Sequence, residues 1–199
     1  MFVLAIRRYH QLYRDTYFIT GVGNKKRLIP LGPIVHAVGA EKAAALPGFH
    51  AFSGADVTGR FAGKGKLNCW KALSRCSEEV VSAFAALGTS EELSANTESA
   101  IEAFVCQLYE SGTTVVDVGD LRWKLFTNKQ LETQKLPPTR AALHEAIAHA
   151  HFQALWCGIR TTCPTHSYHQ QQGNSNQPQT RTCSWVEGRA AYTSASPNR

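Results

Sequence analysis

The beginning of the chain carries hydrophobic and polar patterns that are typical of β-strands. Phe2–Ile6 is a continuous apolar run, which favours a strand buried on both faces of a sheet. Thr16–Thr20 is rich in residues of high β-propensity, and Gly21–Asn24 has the composition of a turn. Lys25–Ile29 can therefore return as a partner strand. The pattern predicts a β-hairpin that follows one buried strand.

Helical patterns follow the hairpin and continue to Trp156. Pro33 suits the first turn of a short helix through Val38, because a helix does not need the missing N–H at that end. Ser77 can cap a helix that ends before Gly88. Further helical signals begin at 43 and occur at about 67–73, 97–109, 118–126 and from 139 onward. The last helix has an apolar stripe of four residues, namely Leu143, Ile147, Ala150 and Ala154.

The composition of the chain changes after Trp156. From Cys157 onward there is no Leu, Phe, Met, Lys or Asp, and Gln, Thr, Ser, Asn and Arg dominate. Such a segment buries too little apolar surface to offset the entropy of ordering it. We therefore predict an N-terminal region of 1–75, a helical region of 76–156 and a disordered tail of 157–199. The predicted fold class is α/β turning into mostly α.

The overall composition favours an intracellular protein with a hydrophobic core. Hydrophobic residues make up 43% of the 199 positions, which excludes disorder along the whole length. No apolar run approaches the ~20 residues of a membrane helix, and Arg7 and Arg8 interrupt the apolar start, so we expect no membrane partner and no signal peptide. The six cysteines include no C-x-x-C pair, which disfavours a zinc ribbon and favours free thiols. The nucleus is one candidate compartment.

The positive charge is unevenly distributed along the sequence. The net charge is +6, and half of this excess lies after residue 156, where four arginines stand against one glutamate: Arg160, Arg181, Arg189, Arg199 and Glu187. Residues 1–156 are therefore only mildly basic. This balance permits nucleic-acid binding but does not require it.

Residues 46–73 contain the candidate chemistry of the chain. Asp56 follows a turn of small residues, where its carboxylate could bind a metal ion or serve as an ordinary cap or turn residue. Gly63–Lys66 precedes a predicted helix, so its backbone can approach a phosphate while the lysines add charge. The same four residues also suit a solvated loop, and the spacing of a Walker A loop is absent. The local cations, with Trp70 among them, are Arg60, Lys64, Lys66, Lys71 and Arg75.

This segment resembles the hallmark of an uncharacterised family of animal proteins of mobile-element origin, H-A-x-S-G-x-D-x-T followed by G-K-G-K. The matching positions here are His50, Ala51, Ser53, Gly54, Asp56, Thr58, Phe61, Gly63, Lys64, Gly65 and Lys66. Leu121–Phe126 and Leu136–Arg140 also match the family. The resemblance extends from Phe2 to about Trp156.

The family is distantly similar to PIN-like nucleases of the flap-endonuclease type. That resemblance implies a partial PIN-like αβα domain and Mg²⁺-dependent phosphodiester hydrolysis. It also implies that Asp56 is a catalytic carboxylate and a metal ligand, and that Gly63–Lys66 contacts the nucleic-acid backbone. With the neighbouring cations, the expected nucleic-acid-binding residues are Arg60, Gly63, Lys64, Gly65, Lys66 and Lys71.

Two departures from the family pattern indicate a damaged fragment. In the family an acidic motif, Asp-Thr-Asp-Val, precedes the strand that matches Phe2–Ile6, whereas Met1 stands where that motif would end. Two-metal cleavage needs several carboxylates around ions ~4 Å apart, so Asp56 alone is insufficient. At the other end, permitted codons for Thr161–Gln172, read in another frame, give D-D-V-P-H-P-Q-L-P-P-A-T, which resembles the family's continuation. We expect an N-terminally truncated chain whose tail is out of frame from about 155–160.

Other combinations of chemically reactive residues have simpler interpretations. His144 and His149 are five residues apart, whereas a zinc-protease helix needs histidines at i and i+4. His144 and His151 share a helix face, and we interpret them as surface histidines rather than a metal pair. Cys69 and Cys76 are interpreted as packing thiols.

Three functional hypotheses follow from the sequence. The first is an inactive fragment of a nuclease-like, Mg²⁺-dependent protein. The second is a non-catalytic module that binds nucleic-acid backbone through the basic segment. The third is a gene fragment without function, and the sequence does not rank the second against the third.

Overall fold

The computed structural model describes residues 2–54, 61, 63–129, 133–160, 182–186 and 189–193. Helices dominate these residues, and two short antiparallel strand pairs accompany them. In chain order the elements are α1 (Phe2–Arg7), β1 (Tyr17–Thr20), β2 (Arg27–Pro30), α2 (Leu31–Val38), α3 (Ala40–Phe52), α4 (Lys66–Leu73), α5 (Glu78–Ala86), α6 (Ala95–Tyr109), α7 (Val118–Lys129), α8 (Arg140–Arg160), β3 (Thr182–Val186) and β4 (Arg189–Thr193).

The predicted hairpin is confirmed. β1 and β2 pair antiparallel, with Tyr17 opposite Pro30 and Thr20 opposite Arg27. A short 3-10 turn, Gly23–Lys25, connects them. Among the described residues β1 and β2 form a two-stranded sheet by themselves. The prediction of a mostly helical chain with a small strand component is therefore confirmed, whereas this arrangement does not confirm a PIN-like αβα fold.

The predicted buried strand at Phe2–Ile6 is wrong, because these residues form helix α1. A strand buried on both faces needs neighbouring strands, and the hairpin does not supply them. As a helix, the segment instead buries Ile6 against Leu31 and Ala43 in a small apolar cluster. A short apolar run does not distinguish a buried strand from a helix by periodicity alone.

The main core is built from helices α3 to α8. Four phenylalanines form its centre, with ring centroids 5.0 to 6.4 Å apart and mostly edge-to-face: Phe49, Phe52, Phe84 and Phe104. α3 and α5 cross closely at Gly48, where a Cβ atom would lie only 2.3 Å from the backbone oxygen of Phe84. The core therefore positions α3, α4 and α6 relative to one another.

The predicted helices of the second half are confirmed. α5 follows Ser77, α6 and α7 cover the expected segments, and Pro33 lies in the first turn of α2. The predicted stripe on α8 faces the core, with Leu143, Ile147, Ala150 and Ala154 all buried. None of the helices in the described part of the chain is both long and apolar enough to cross a membrane.

Two parts of the predicted tail are described. α8 continues to Arg160, four residues beyond the predicted boundary at Trp156, and β3 pairs antiparallel with β4, with Thr182 opposite Thr193. Disorder of the tail of 157–199 stays a prediction. The rest of 161–199 lies outside the described residues.

Candidate nucleic-acid interface

The two halves of the sequence motif meet where α3 ends and α4 begins. The rings of Phe52 and Phe61 lie 5.1 Å apart, which brings the two ends of the intervening segment together. Beside them, Lys66 Nζ donates a hydrogen bond to His50 Nδ1 at 3.0 Å. His50 and Lys66 are sixteen positions apart in the sequence, so this contact joins the two parts of the motif.

The Gly63–Lys66 segment forms a turn into α4. Gly63 has φ +67°, a conformation that favours glycine, and Gly65 is the N-cap residue of α4. The backbone N–H of Lys64 donates to the Phe61 carbonyl at 3.0 Å. No atom lies within 4 Å of where a Cβ would stand on either glycine. A hydrogen bond inside the turn therefore stabilises it, and both glycines are open to solvent.

A basic groove lies between α4 and the C-terminal end of α6. It is open to solvent and has a volume of about 350 Å³. Three cations line it together with polar and apolar neighbours from both walls: Lys64, Lys71, Arg75, Asn68, Ala72, Gln107, Leu108 and Ser111. These lining residues include no carboxylate. We refer to this set below as the basic groove.

Tyr109 fixes one of these cations. Lys64 Nζ stands 5.3 Å from the centroid of the Tyr109 ring, a distance typical of a cation–π contact. The thiol of Cys69 also contacts the Lys64 carbonyl at 3.9 Å. Lys64 is therefore half-buried and oriented, whereas Lys71 on α4 and Arg75, two residues after the end of that helix, are exposed. Lys71 and Arg75 both line the basic groove.

The structure divides the predicted site residues into three groups. Lys64 and Lys71 line the basic groove. Gly63 and Gly65 shape the turn, and Lys66 contacts His50 rather than lining the groove. The remaining two predicted residues, Asp56 and Arg60, lie outside the described residues.

The sequence prediction missed the wall contributed by α6. Gln107 and Ser111 are more than thirty positions from α4 in the chain, and no local pattern links them to it. Asn68 was missed as well, although it lies between two predicted lysines. Arg75 was recognised as part of the basic cluster but not as a binding residue, and it reaches the groove from the turn that follows α4.

A metal centre would need converging ligands. In the part of the chain that the structure describes, no group of three or more His, Cys, Asp and Glu residues is placed to hold a metal ion. His144 instead pairs with Glu98 at 3.5 Å on the surface of α8 and α6.

The interpretation of His151 as a surface residue is wrong. This side chain is only 7% exposed, and its Nδ1 accepts a hydrogen bond from the backbone N–H of Gly88 at 3.2 Å. Gly88 follows α5, so the contact joins the end of that helix to α8. His151 faces the core because it follows Ile147 by one helical turn.

The described cysteines are packing thiols, as predicted. Cys69, Cys76 and Cys106 are all free. Burial raises the pKa of Cys69 and Cys76 above the ordinary value for a thiol. Burial, helped by the negative charges of Glu102 and Asp120, raises the pKa of Cys106 to about 11. A nucleophilic cysteine needs a lowered pKa, so these environments disfavour such a role.

The segments 121–126 and 136–140 connect α6, α7 and α8. Arg122 donates a hydrogen bond to the Pro137 carbonyl, which links the two segments directly. Arg140 pairs with Asp117 and, at 3.6 Å, with Glu102. Glu102 also accepts a hydrogen bond from the backbone N–H of Val118 at 2.9 Å, at the start of α7. These motif residues therefore stabilise the helical region.

Comparisons with family models, with curated proteins and with solved structures give no match to this chain. The family resemblance described above is therefore a hypothesis from the sequence. The geometry of the basic groove stands independently of it.

Proposed function

We propose that this chain is a non-catalytic module that binds the phosphate backbone of nucleic acids in the basic groove. The observation that carries the proposal is the convergence of Lys64, Lys71 and Arg75 on one open groove whose lining residues include no carboxylate. Cations clustered on one face are the electrostatic footprint of a nucleic-acid-binding surface.

The chemistry of the lining residues suits phosphate better than a neutral ligand. Lysine and arginine form charge-assisted hydrogen bonds with phosphate oxygens, and arginine can bind two of them at once. Ser111 and Asn68 add neutral donors to the same groove, whereas the Gln107 amide donates to the Thr113 carbonyl at 3.1 Å. Such contacts position a backbone without reading base sequence.

The nuclease-like interpretation of the parent family remains a separate proposal. It assigns Asp56 as a Mg²⁺ ligand within a partial PIN-like domain, and both claims rest on the sequence resemblance. Binding of the nucleic-acid backbone does not depend on either claim. It rests on Lys64, Lys71 and Arg75, which line the basic groove. A nuclear location would suit a nucleic-acid-binding chain.

Salt-dependent binding tests the proposal. Fluorescence anisotropy with labelled single-stranded DNA, duplex DNA and single-stranded RNA would be recorded across a salt series for the full chain. Three phosphate contacts predict a slope of log K against log salt of about −2 to −3. Replacing Lys71 and Arg75 together (Lys71→Gln, Arg75→Gln) should remove about 1.4 to 1.8 of that slope.

A matched variant removes the same charge elsewhere. Lys25→Gln with Lys26→Gln lowers the net charge by the same two units at the tip of the β1–β2 hairpin, where both residues are exposed. This control should keep the wild-type slope. Absence of binding, binding that ignores salt, or an equal loss of slope in the control would each reject the proposal.

A further inference from the structure

We infer that the outer face of α8 is an interface between two antiparallel copies of this chain. The exposed residues between 141 and 156 are almost all apolar: Ala141, Ala142, Glu145, Ala146, Ala148, His149, Phe152 and Trp156. Only Glu145 among them carries a formal charge. A helix that faces water normally has charged and polar residues on its outer side, so this composition is typical of a covered face.

The opposite side of α8 packs against the core. Leu143, Ile147, Ala150, His151 and Ala154 are buried against the other helices. Apolar residues therefore occur on both sides of the helix along about 24 Å of its length, at 1.5 Å per residue, with His144, Glu145, His149, His151 and Gln153 among them.

Two large side chains dominate the outer face. Phe152 and Trp156 are 62% and 52% exposed, and their rings stack with centroids 6.2 Å apart and an interplanar angle of 17°. They occupy the C-terminal half of this face. The N-terminal half carries small residues, namely Ala141, Ala142 and Ala146, with Glu145 between them.

This asymmetry makes the face complementary to itself in the antiparallel orientation. A two-fold axis near Ala148 would place Trp156 of one copy over Ala141 of the other, and Phe152 opposite Glu145 and next to Ala142 and Ala146, so that the largest residue of the face meets a small one. A parallel pair would place aromatic against aromatic at one end and leave a gap between alanines at the other. The pairing of large with small residues therefore favours a second copy of the chain, in the antiparallel orientation, as the partner that covers this face.

The polar residues of the face fit the same arrangement. With the axis near Ala148, Glu145 of one copy lies within one helical turn of His149 of the other, and the pair occurs twice by symmetry. A carboxylate can accept a hydrogen bond from an imidazole in either charge state of the ring. The one charged residue of the face therefore gains a partner rather than being buried alone.

Sedimentation velocity of the full chain over a hundredfold concentration range tests the interface. One helix face is smaller than the ~800 Å² per partner of a standard interface, so we expect a reversible dimer with a micromolar Kd. Ala148→Glu keeps a good helix former but places two carboxylates beside the axis. It should raise the Kd by about tenfold or more.

Trp123→Ser is the matched control. Trp123 is 68% exposed on α7, so this variant removes an equally exposed aromatic residue without changing α8. It should leave the Kd unchanged. A monomer at every concentration, an undiminished dimer in Ala148→Glu, or an equal loss in Trp123→Ser would overturn the inference. If circular dichroism shows that Ala148→Glu is unfolded, Phe152→Ser takes its place with the same expected result.

Cysteine cross-linking tests the orientation. Ala148→Cys should form a reducible dimer because the two thiols lie near the axis. Ala141→Cys should not exceed the background of the wild-type cysteines, because the two positions are about 22 Å apart along an antiparallel pair. Cross-linking of both variants would instead indicate a parallel pair and contradict the inference.

Discussion

Lys64 and Lys66 are two positions apart in the chain, yet their side chains have different surroundings. Lys64 lies over the Tyr109 ring and lines the basic groove, whereas Lys66 turns back to His50. The difference arises because α4 begins at Lys66, so the backbone changes direction between the two residues. The Gly63–Lys66 segment was predicted to be one contact surface. In the structure Lys64 lines the basic groove, whereas Lys66 makes a structural contact with His50.

This separation gives a prediction about single lysines, which rests on the proposed function. Lys64→Gln should lower the salt slope of nucleic-acid binding by about 0.7 to 0.9, the contribution of one phosphate contact. Lys66→Gln should lower it by less than half of that amount, because its ammonium group is held at His50. The anisotropy titration described above measures both. Equal losses would show that the whole glycine-lysine segment, rather than the groove, contacts the backbone.

At the scale of elements, hydrophobic periodicity predicted the helices well and the first element badly. The sequences of α5, α6, α7 and α8 each contain an apolar stripe or a capping residue, and either feature predicts a helix. Phe2–Ile6 carries neither, since every position is apolar. Its conformation depends on what covers it, and the hairpin that follows pairs with itself rather than with this segment.

The candidate site was predictable only on the α4 side. Lys64 and Lys71 could be identified because they lie near glycines and a helix start in one short segment. Gln107 and Ser111 reach the groove through the packing of α6 on α4, and the sequence carries no local signal of that packing. The burial of His151 was missed for the same reason, because Gly88 approaches it from the turn that follows α5.

The start of α7 provides a prediction about how elements are connected. Glu102 of α6 accepts the Val118 N–H at 2.9 Å and pairs with Arg140. Glu102→Ala should therefore lower the free energy of unfolding by about 1–2 kcal/mol, the cost of a lost helix cap. Glu98→Ala on the same helix is the control and should cost no more than about 0.5 kcal/mol, because its pairing with His144 is partly exposed to solvent. Urea denaturation measures both, and equal losses would contradict the capping role.

At the scale of the whole molecule, the residues that the structure describes form two apolar clusters of unequal size. The larger one joins α3 to α8, and the smaller one joins α1, α2 and neighbouring residues around Ile6, Leu31 and Ala43. Both walls of the basic groove, α4 and α6, belong to the larger cluster. The helical core therefore forms the groove. The β1–β2 hairpin contributes no residue to the lining of the groove.

The larger cluster also determines how stability depends on pH at the alkaline end. Cys106 is fully buried in it, and its pKa is raised from 9.0 to about 11. Between these values the unfolded chain loses the thiol proton while the folded chain keeps it, so the stability present below about pH 9 decreases as the pH rises toward about 11. Cys106→Val removes this group at similar volume, and its free energy of unfolding should fall less steeply across that range. Urea denaturation at closely spaced pH values gives the difference between the two curves, in which the other titrating groups cancel. Parallel curves would mean that Cys106 ionises equally in both states, which its burial beside Glu102 and Asp120 argues against.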